Sequence, residues 1–362
     1  MALRISRKMN NRLDLLRRGL KEKSVEAILI SQSQNRRYIS GFDGTAGYLL
    51  VTAQKTILAT DFRYIEQAKQ QTSAFEVLQT SGKLEEWLPG LTSRLGLKRL
   101  GFEADNVSFS IYNRLRDVLS DPATDIELVP LAGLVESLRA IKEPSEIEHI
   151  KKAATISDAA MDYVNHTLLA GMTEIEVAWK LEQFLRQNGS QGIPFDIIVA
   201  SGTNAALPHA KPSERVIKNG EPVIIDLGAS IQGYTSDISR TICPGEVDDT
   251  FRKLYAAVLK AQQMAIDGIK AGISAIDADN LSRLVIEQAG YGKQFGHGLG
   301  HGVGLAVHEK PNIGPTSKDE LEDNMVFTIE PGIYIPKWGG IRIEDTVMLK
   351  NGRIEVISKT VK

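Results

Sequence analysis

The sequence predicts a two-domain protein of the α/β (α+β) class, with an α/β domain over residues 1–142 and a second domain over residues 143–362. Three observations carry this expectation. At 362 residues the chain is too long for one compact core. Its first part alternates buried-strand runs with segments of helical periodicity. Its last third sets single carboxylates and imidazoles at the edges of apolar, strand-like runs, where polar groups are disfavoured unless something compensates them.

In the first domain, Asn11 to Lys23 is amphipathic and VEAILIS (Val25 to Ser31) is a buried-strand run. GYLLVT and KTILATD read as a hairpin, FRYIEQAKQQ as a helix, and FEVLQ and RLGFEA as further strands of a mixed sheet. The domain ends near LAGLVESLRAIKEPSEIEHI, with the boundary just before Pro144. Pro144, Ser145 and Glu148 mark a helix start with a capping box, followed by Ile147, Ile150, Ala153 and Ala154 at helical spacing. Thr173 and Glu176 open a second amphipathic helix that carries Val177, Trp179 and Leu181. Long helices follow over Thr250 to Ile269 and Ile276 to Ala289, the latter closed by Gly290. Helix pairs followed by strand pairs thus occur twice, as in a domain made of two related halves.

Composition excludes several classes. Lys plus Arg is 43 against 45 for Asp plus Glu, a net charge of −2, which gives no reason to expect nucleic acid or an anionic membrane as partner. The basic opening MALRISRKMNNRLDLLRRGL lacks an apolar core of signal-peptide length, and no later stretch is apolar enough to span a bilayer. Cys243 is the only cysteine, so intrachain disulfides and cysteine-based metal sites are excluded. A cytoplasmic protein is expected.

Asp226 interrupts the apolar run VIIDLG, and Asp237 follows eleven residues later in GYTSDISRT, after a turn around Ala229 to Gly233. A strand pair would set the two carboxylates side by side, a repulsive arrangement that cations between them relieve. In the alternative, Asp226 caps a turn and Asp237 pairs with Arg240. The glycine-dense GHGLGHGVG carries His297 and His301, with His308 beside Glu309 seven residues further on. Glycines there let backbone approach closely. Glu330 in VFTIEPGIYI and Glu344 in GIRIEDTVML stand among β-prone residues, although Glu344 could instead pair with Arg342. Taken together, Asp226, Asp237, His301, Glu330 and Glu344 form an oxygen-rich donor set with one imidazole. Such a set suits a pair of divalent cations better than one structural zinc, and it belongs to a hydrolase that activates water.

These segments resemble the proline-specific pita-bread metallopeptidases, aminopeptidase P and prolidase, relatives of methionine aminopeptidase and creatinase. The resemblance covers essentially the whole chain. NRRYISGFDGTAGYLLVT and TDFRYIEQA look like a creatinase-type N-terminal domain, while HGVGLAVHE, TIEPGIY and GGIRIEDT together mark the pita-bread catalytic domain. The resemblance implies that Asp226, Asp237, His301, Glu330 and Glu344 bind two divalent ions, with Asp237 and Glu344 shared between them. Manganese suits the set best, and cobalt, zinc or iron could also occupy it. It further implies that Glu330 accepts a proton, that His209 in ALPHAKP binds substrate and handles a proton, and that His297 and His308 line the substrate pocket. His308 would steady the scissile carbonyl, and Arg342 would bind beside the cage. A homodimer acting on proline-containing peptides is implied.

The expected activity is hydrolysis of the Xaa-Pro bond at the N-terminus of peptides, with prolidase action on Xaa-Pro dipeptides as the alternative. SGFDGTAGYLLVT and TDFRYIEQA look more like bacterial aminopeptidase P. Tyr38, Phe42, Arg63 and Tyr64 are candidates from the first domain for reaching the cleft, or else packing and surface residues. A binding module with decayed ligands would not keep all five cage residues, and the long N-terminal domain weakens a methionine aminopeptidase reading. Trp87 and Trp179 are expected to be packing residues, Trp338 could rim the site, and Cys243 reads as a buried small hydrophobe.

Overall fold

β-branched and leucine-rich runs gather the first unit, Met1–Arg139, around one six-stranded sheet. The computed structural model describes residues 2–120, 126–167 and 170–362. After α1 (Ala2–Glu22), the elements of this unit are β1 (Ala27–Ile30), α2 (Ser33–Ser40), β2 (Tyr48–Thr52), β3 (Thr56–Thr60), α3 (Ile65–Gln71) and β4 (Glu76–Gln79). They are followed by α4 (Leu84–Arg94), β5 (Arg99–Glu103), α5 (Phe109–Leu119), β6 (Glu127–Leu131) and α6 (Leu134–Ala140). The strand order is β4-β3-β2-β1-β5-β6, with antiparallel pairing at β3/β2/β1 and parallel pairing at β4/β3, β1/β5 and β5/β6. The expected hairpin is therefore β2–β3. Strand β6 was not anticipated, because ELVPL contains Pro130; as the outermost strand it tolerates a residue without an N–H. Trp87 is buried in this unit's core beside Leu29, Leu88 and Leu100. Tyr38 and Phe42 are buried too, which leaves neither free to line a cleft, whereas Arg63 is held at the surface by Asp61.

The second unit, Ala140–Lys362, is built twice over from a helix pair followed by strands. The first set is α7 (Pro144–Thr167) and α8 (Glu174–Gln187), then β7 (Ile198–Ser201), β8 (Val223–Leu227), β9 (Ser230–Ile231), β10 (Tyr234–Thr235) and β11 (Ile238–Ile242). The second is α9 (Asp249–Gly268) and α10 (Ala275–Gln288), then β12 (Gly300–Gly302), β13 (Glu309–Ile313), β14 (Val326–Ile329), β15 (Gly332–Ile335), β16 (Gly339–Arg342), β17 (Asp345–Lys350) and β18 (Arg353–Val356). Strands β11-β8-β7 form one antiparallel sheet and β13-β12-β14-β17-β18 another, with β15–β16 as a hairpin.

Local chemistry explains the helix ends. Pro144 takes the first position of α7, where its missing N–H is no loss, and the Glu146 carboxylate accepts the Glu143 N–H at 2.8 Å. Thr173 and Glu176 close a full capping box on α8. Gly290, at φ +88°, ends α10. Val177, Leu181 and Leu185 face the core from α8, together with Val199, Val223 and Ile225 of the sheet. Trp179, expected to be a packing residue, is 59% exposed: two residues from both Val177 and Leu181, it lies on the opposite face of the helix. Cys243 and Trp338 are partly buried against the cluster around Leu254, Val258 and Ile341. No helix among the described residues is long and apolar enough to cross a membrane.

Thr173→Ala should remove the reciprocal cap and destabilise the second unit by about 1 kcal/mol, while Thr173→Ser should recover most of it. Urea unfolding followed by circular dichroism would check both, and equal midpoints for parent and Thr173→Ala would contradict the assignment.

Candidate metal centre

Strand pairing brings the acidic residues together from both halves of the second unit. Asp226 lies within β8, directly opposite Ser239 of β11. Asp237, two residues before Ser239, therefore emerges on the same face, one diagonal step away. The turn between them contains the small β9–β10 hairpin, with Gln232 and Gly233 both at positive φ. In the second half, β14 and β17 run antiparallel with Ile329 opposite Asp345. Glu330 just after the one strand and Glu344 just before the other are thereby neighbours. The Glu344 N–H donates to the Ser239 carbonyl at 3.0 Å, which ties this pair to the first half. His301 sits in the three-residue β12, and its N–H donates to the Thr328 hydroxyl at 3.1 Å.

The glycine run has a steric cause. A Cβ at Gly300 would collide with the Thr328 carbonyl, and one at Gly302 with the Lys310 carbonyl, so β12 fits between its neighbours only because those positions carry no side chain.

Ligand atoms of Asp237, His301 and Glu344 all lie within 4.8 Å of one another. His301 Nε2 is 3.2 Å from Glu330 Oε1 and 3.7 Å from Asp237 Oδ2. Asp226 completes the group, since its charge is felt by both Asp237 and Glu344. Neither alternative pairing forms. Arg240 binds Asp345 at 2.8 Å rather than Asp237, and Arg342 binds Asp226 at 2.5 Å rather than Glu344.

The electrostatics are those of a site that calls for cations. Burial drives the carboxyls of Asp237 and Glu344 well above the usual carboxylate range, and the neighbouring carboxylates push in the same direction. Burial also opposes the charge on Glu330, but the hydrogen bond to His301 and its positive charge outweigh it and hold this carboxyl low. Burial likewise works against a His301 imidazolium, yet Glu330 raises the ring above its ordinary value. Their shared proton is one that a divalent cation would displace. Asp226 Oδ1 is buried without a hydrogen-bond partner, an open acceptor where an unmet lone pair is expensive. Four carboxylates, one of them with an orphaned buried oxygen, and one imidazole fit divalent metal ions.

Around this group the remaining histidines take different stations. His297 is buried, which lowers its basicity. Its Nδ1 faces the Gly298 carbonyl at 2.8 Å and so carries the hydrogen, leaving Nε2 to accept from the Tyr334 hydroxyl at 3.0 Å. Tyr334 in turn accepts from Arg342 at 3.1 Å. His308 is exposed, with its ring centroid 4.1 Å from that of His301; partial desolvation, then the charge of His301, lowers its basicity. His209 is exposed, and its charge reaches both His297 and His308. Arg342 also donates to the Pro208 carbonyl at 3.1 Å, which anchors the chain next to His209.

Several supporting groups escaped the sequence analysis. Ser239 donates to Glu344 at 2.7 Å and accepts from Arg342 at 2.9 Å. Thr328 donates to Glu330 at 3.1 Å, and Thr346 donates to the Asp237 carbonyl at 2.7 Å. Hydroxyl residues are so common in strands that only the fold reveals which ones face the cage.

Residues 148–351 match the model of metallopeptidase family M24, and residues 12–141 match that of the creatinase/prolidase N-terminal domain. An Xaa-Pro dipeptidase of Pyrococcus horikoshii is 37% identical over 353 residues, 97% of this chain and 98% of that one. Among solved structures, an Xaa-Pro dipeptidase from Bacillus anthracis superposes with a TM-score of 0.93 at 43% identity, over 98% of each chain. An X-Pro aminopeptidase from Thermotoga maritima gives 0.88 at 37% identity, over 96% of this chain and 98% of that one.

The raised carboxyl of Asp237 has a signed consequence. Its contribution to stability is complete below the ordinary carboxylate range, near 4, and is lost as pH rises through the higher folded-state value. In chelator-treated protein, Asp237→Asn should therefore melt above the parent at about pH 7 and no higher than the parent at about pH 4. Saturating Mn²⁺ should reverse the order at neutral pH, because only the parent keeps the full donor set. Differential scanning fluorimetry decides this; a lower melting temperature for chelated Asp237→Asn at neutral pH would refute it.

Proposed function

The chain belongs to metallopeptidase family M24, and on that premise we propose that its five-residue cage holds two divalent ions, manganese suiting it best, and cleaves the Xaa-Pro bond at the N-terminus of peptides. The protein is a hydrolase with the pita-bread fold, preceded by a creatinase-type domain. The observation that carries the proposal is the grouping of Asp237, His301 and Glu344 within 4.8 Å, with Glu330 3.2 Å from His301 and Asp226, whose Oδ1 is buried and unpartnered, close enough for its charge to act on Asp237 and Glu344. Asp226, Asp237, His301, Glu330 and Glu344 would hold the ions between them.

When bound, paired divalent cations lower the pKa of water by several units and polarise a carbonyl. The chain's own groups supply the rest. Glu330, held ionised at neutral pH, accepts the proton released as water attacks the carbonyl carbon. His308, beside His301, donates to the oxygen on which negative charge develops. His209, exposed at the rim, binds substrate and returns a proton to the departing proline nitrogen. His297, neutral and fixed by Tyr334 and Gly298, forms pocket wall rather than a proton carrier. Arg342 holds Asp226 and Ser239 in place and keeps them from collapsing onto the other carboxylates. An enzyme dedicated to this bond is chemically sensible, because an imide to proline has no N–H to offer ordinary peptidase subsites.

Aminopeptidase action on longer peptides is the reading favoured by the SGFDGTAGYLLVT and TDFRYIEQA segments. The dipeptidase reading has its own support in the Xaa-Pro dipeptidases at 37% and 43% identity. A homodimer is part of the proposal. Metal-reconstituted protein offered Xaa-Pro and Xaa-Pro-Yaa side by side separates the two: cleavage of the tripeptide establishes the aminopeptidase, and turnover of the dipeptide alone establishes the prolidase. Failure to cleave either would end the Xaa-Pro proposal.

His308→Ala should lower kcat by about tenfold to a hundredfold with little change in KM, because the interaction strengthens as charge develops on the carbonyl oxygen. Steady-state kinetics showing a change confined to KM would contradict that role.

A further inference from the structure

Lys142 and Glu309 form an ion pair at 2.9 Å with side chains only 1% and 4% exposed. Removing both charges from water is unfavourable, so such a pair contributes little net stability and a great deal of fixed geometry. Its position is informative, because Glu309 directly follows His308.

The Glu309 carboxylate is the hub of the loop leading to His308. It accepts the Ala306 N–H at 3.2 Å, and Gly304 lies so close to it that a Cβ there would collide with the carboxylate. Gly304 donates to the Ala306 carbonyl at 3.0 Å and accepts from Thr235 N–H at 2.8 Å. The loop is thus wrapped around one carboxylate. Lys142 is fixed from its own side: its N–H donates to the Asn324 carbonyl at 2.9 Å, Ile141 bridges to Met325, and Nζ also donates to the Ala140 carbonyl at 3.2 Å. A rigidly mounted ammonium therefore determines where the hub sits, and the hub determines where His308 meets the substrate.

We propose that Lys142 is a positioning residue for His308, acting through Glu309 to set the loop from Gly302 to Glu309. The proposal rests on the role given to His308 above. Without the ammonium, the Glu309 carboxylate turns toward water or takes up a proton, and the loop loses the anchor that aims the imidazole.

The test compares Lys142→Met and Lys142→Arg, each alone and combined with His308→Ala, in manganese-reconstituted protein, measuring peptide hydrolysis, metal content and melting temperature. Lys142→Met should lower kcat by about tenfold with KM changed by less than about twofold, and Lys142→Arg should restore most of the loss. Metal content should stay at the parent's level. In the His308→Ala background, Lys142→Met should change kcat by less than about twofold, since the group it positions is gone. Equal losses in both backgrounds, or an unchanged kcat for Lys142→Met, would overturn the positioning role while leaving that of His308 intact. An unchanged kcat for His308→Ala alone would overturn both. If Lys142→Met does not fold, Lys142→Met/Glu309→Gln, which leaves no unpaired buried charge, takes its place under the same criteria.

Discussion

Like-charge repulsion in a water-poor place is the constraint around which the second unit is organised. Asp226, Asp237, Glu330 and Glu344 converge on His301, and burial alone disfavours ionisation of several of them. Such a cluster persists only when something holds the carboxylates apart in fixed directions. Arg342 neutralises one side of Asp226, Ser239 and Thr328 donate to Glu344 and Glu330, and His301 Nε2 lies 3.2 Å from Glu330 Oε1. The cage is therefore pre-arranged for cations, with one of its buried acceptors, Asp226 Oδ1, left without a partner among the described residues.

The duplicated architecture explains why the two halves can bring candidate ligands to one point. Each supplies a helix pair and a set of strands, and the candidate ligands lie in strands or at strand ends: Asp226 and Asp237 from the first set, and His301, Glu330 and Glu344 from the second. Strand ends are stiff, and their side-chain directions alternate, so register sets which residues share a face. A one-residue slip of β17 against β14 would turn Glu344 away. Register there is braced by Gln262, which donates to both the Ile329 carbonyl and Asp345, and by the buried Arg240–Asp345 pair.

Much of this was legible in the sequence, for identifiable physical reasons. A carboxylate in VIIDLG or VFTIEP stands out because apolar strands exclude charge, and the glycines of GHGLGHGVG stand out because so dense a run needs a steric cause. The capping box at Thr173 and the stop at Gly290 are local codes, readable without the fold. What could not be read is whatever depends on long-range pairing. Arg342 was expected beside the cage or, in the alternative, on Glu344, and only the β8–β11 register and the crossing at Glu344 show that it takes Asp226. Ser239, Thr328, Thr346 and Tyr334 carry no distinguishing pattern, and Trp179 was misjudged because an aromatic residue near a helix stripe need not lie on it.

Arg342 also shows why the carboxylate cluster and the histidines beside it cannot be treated as separate parts. All three nitrogens of its guanidinium are engaged: Nη2 on Asp226, Nη1 on Tyr334 and the Pro208 carbonyl, and Nε on Ser239. Burial opposes its charge, but Tyr334, Asp226 and Glu330 hold it more firmly protonated than usual, so it stays a cation throughout the working pH range. Through Tyr334 it braces the ring of His297, whose tautomer the Gly298 carbonyl sets, and through Pro208 it anchors the chain beside His209. Lysine could supply the charge but not this planar set of donors. A single buried guanidinium thus ties the direction of the Asp226 carboxylate to the placement of His297 and of the chain beside His209, so the carboxylate cluster and its histidine surroundings are set together.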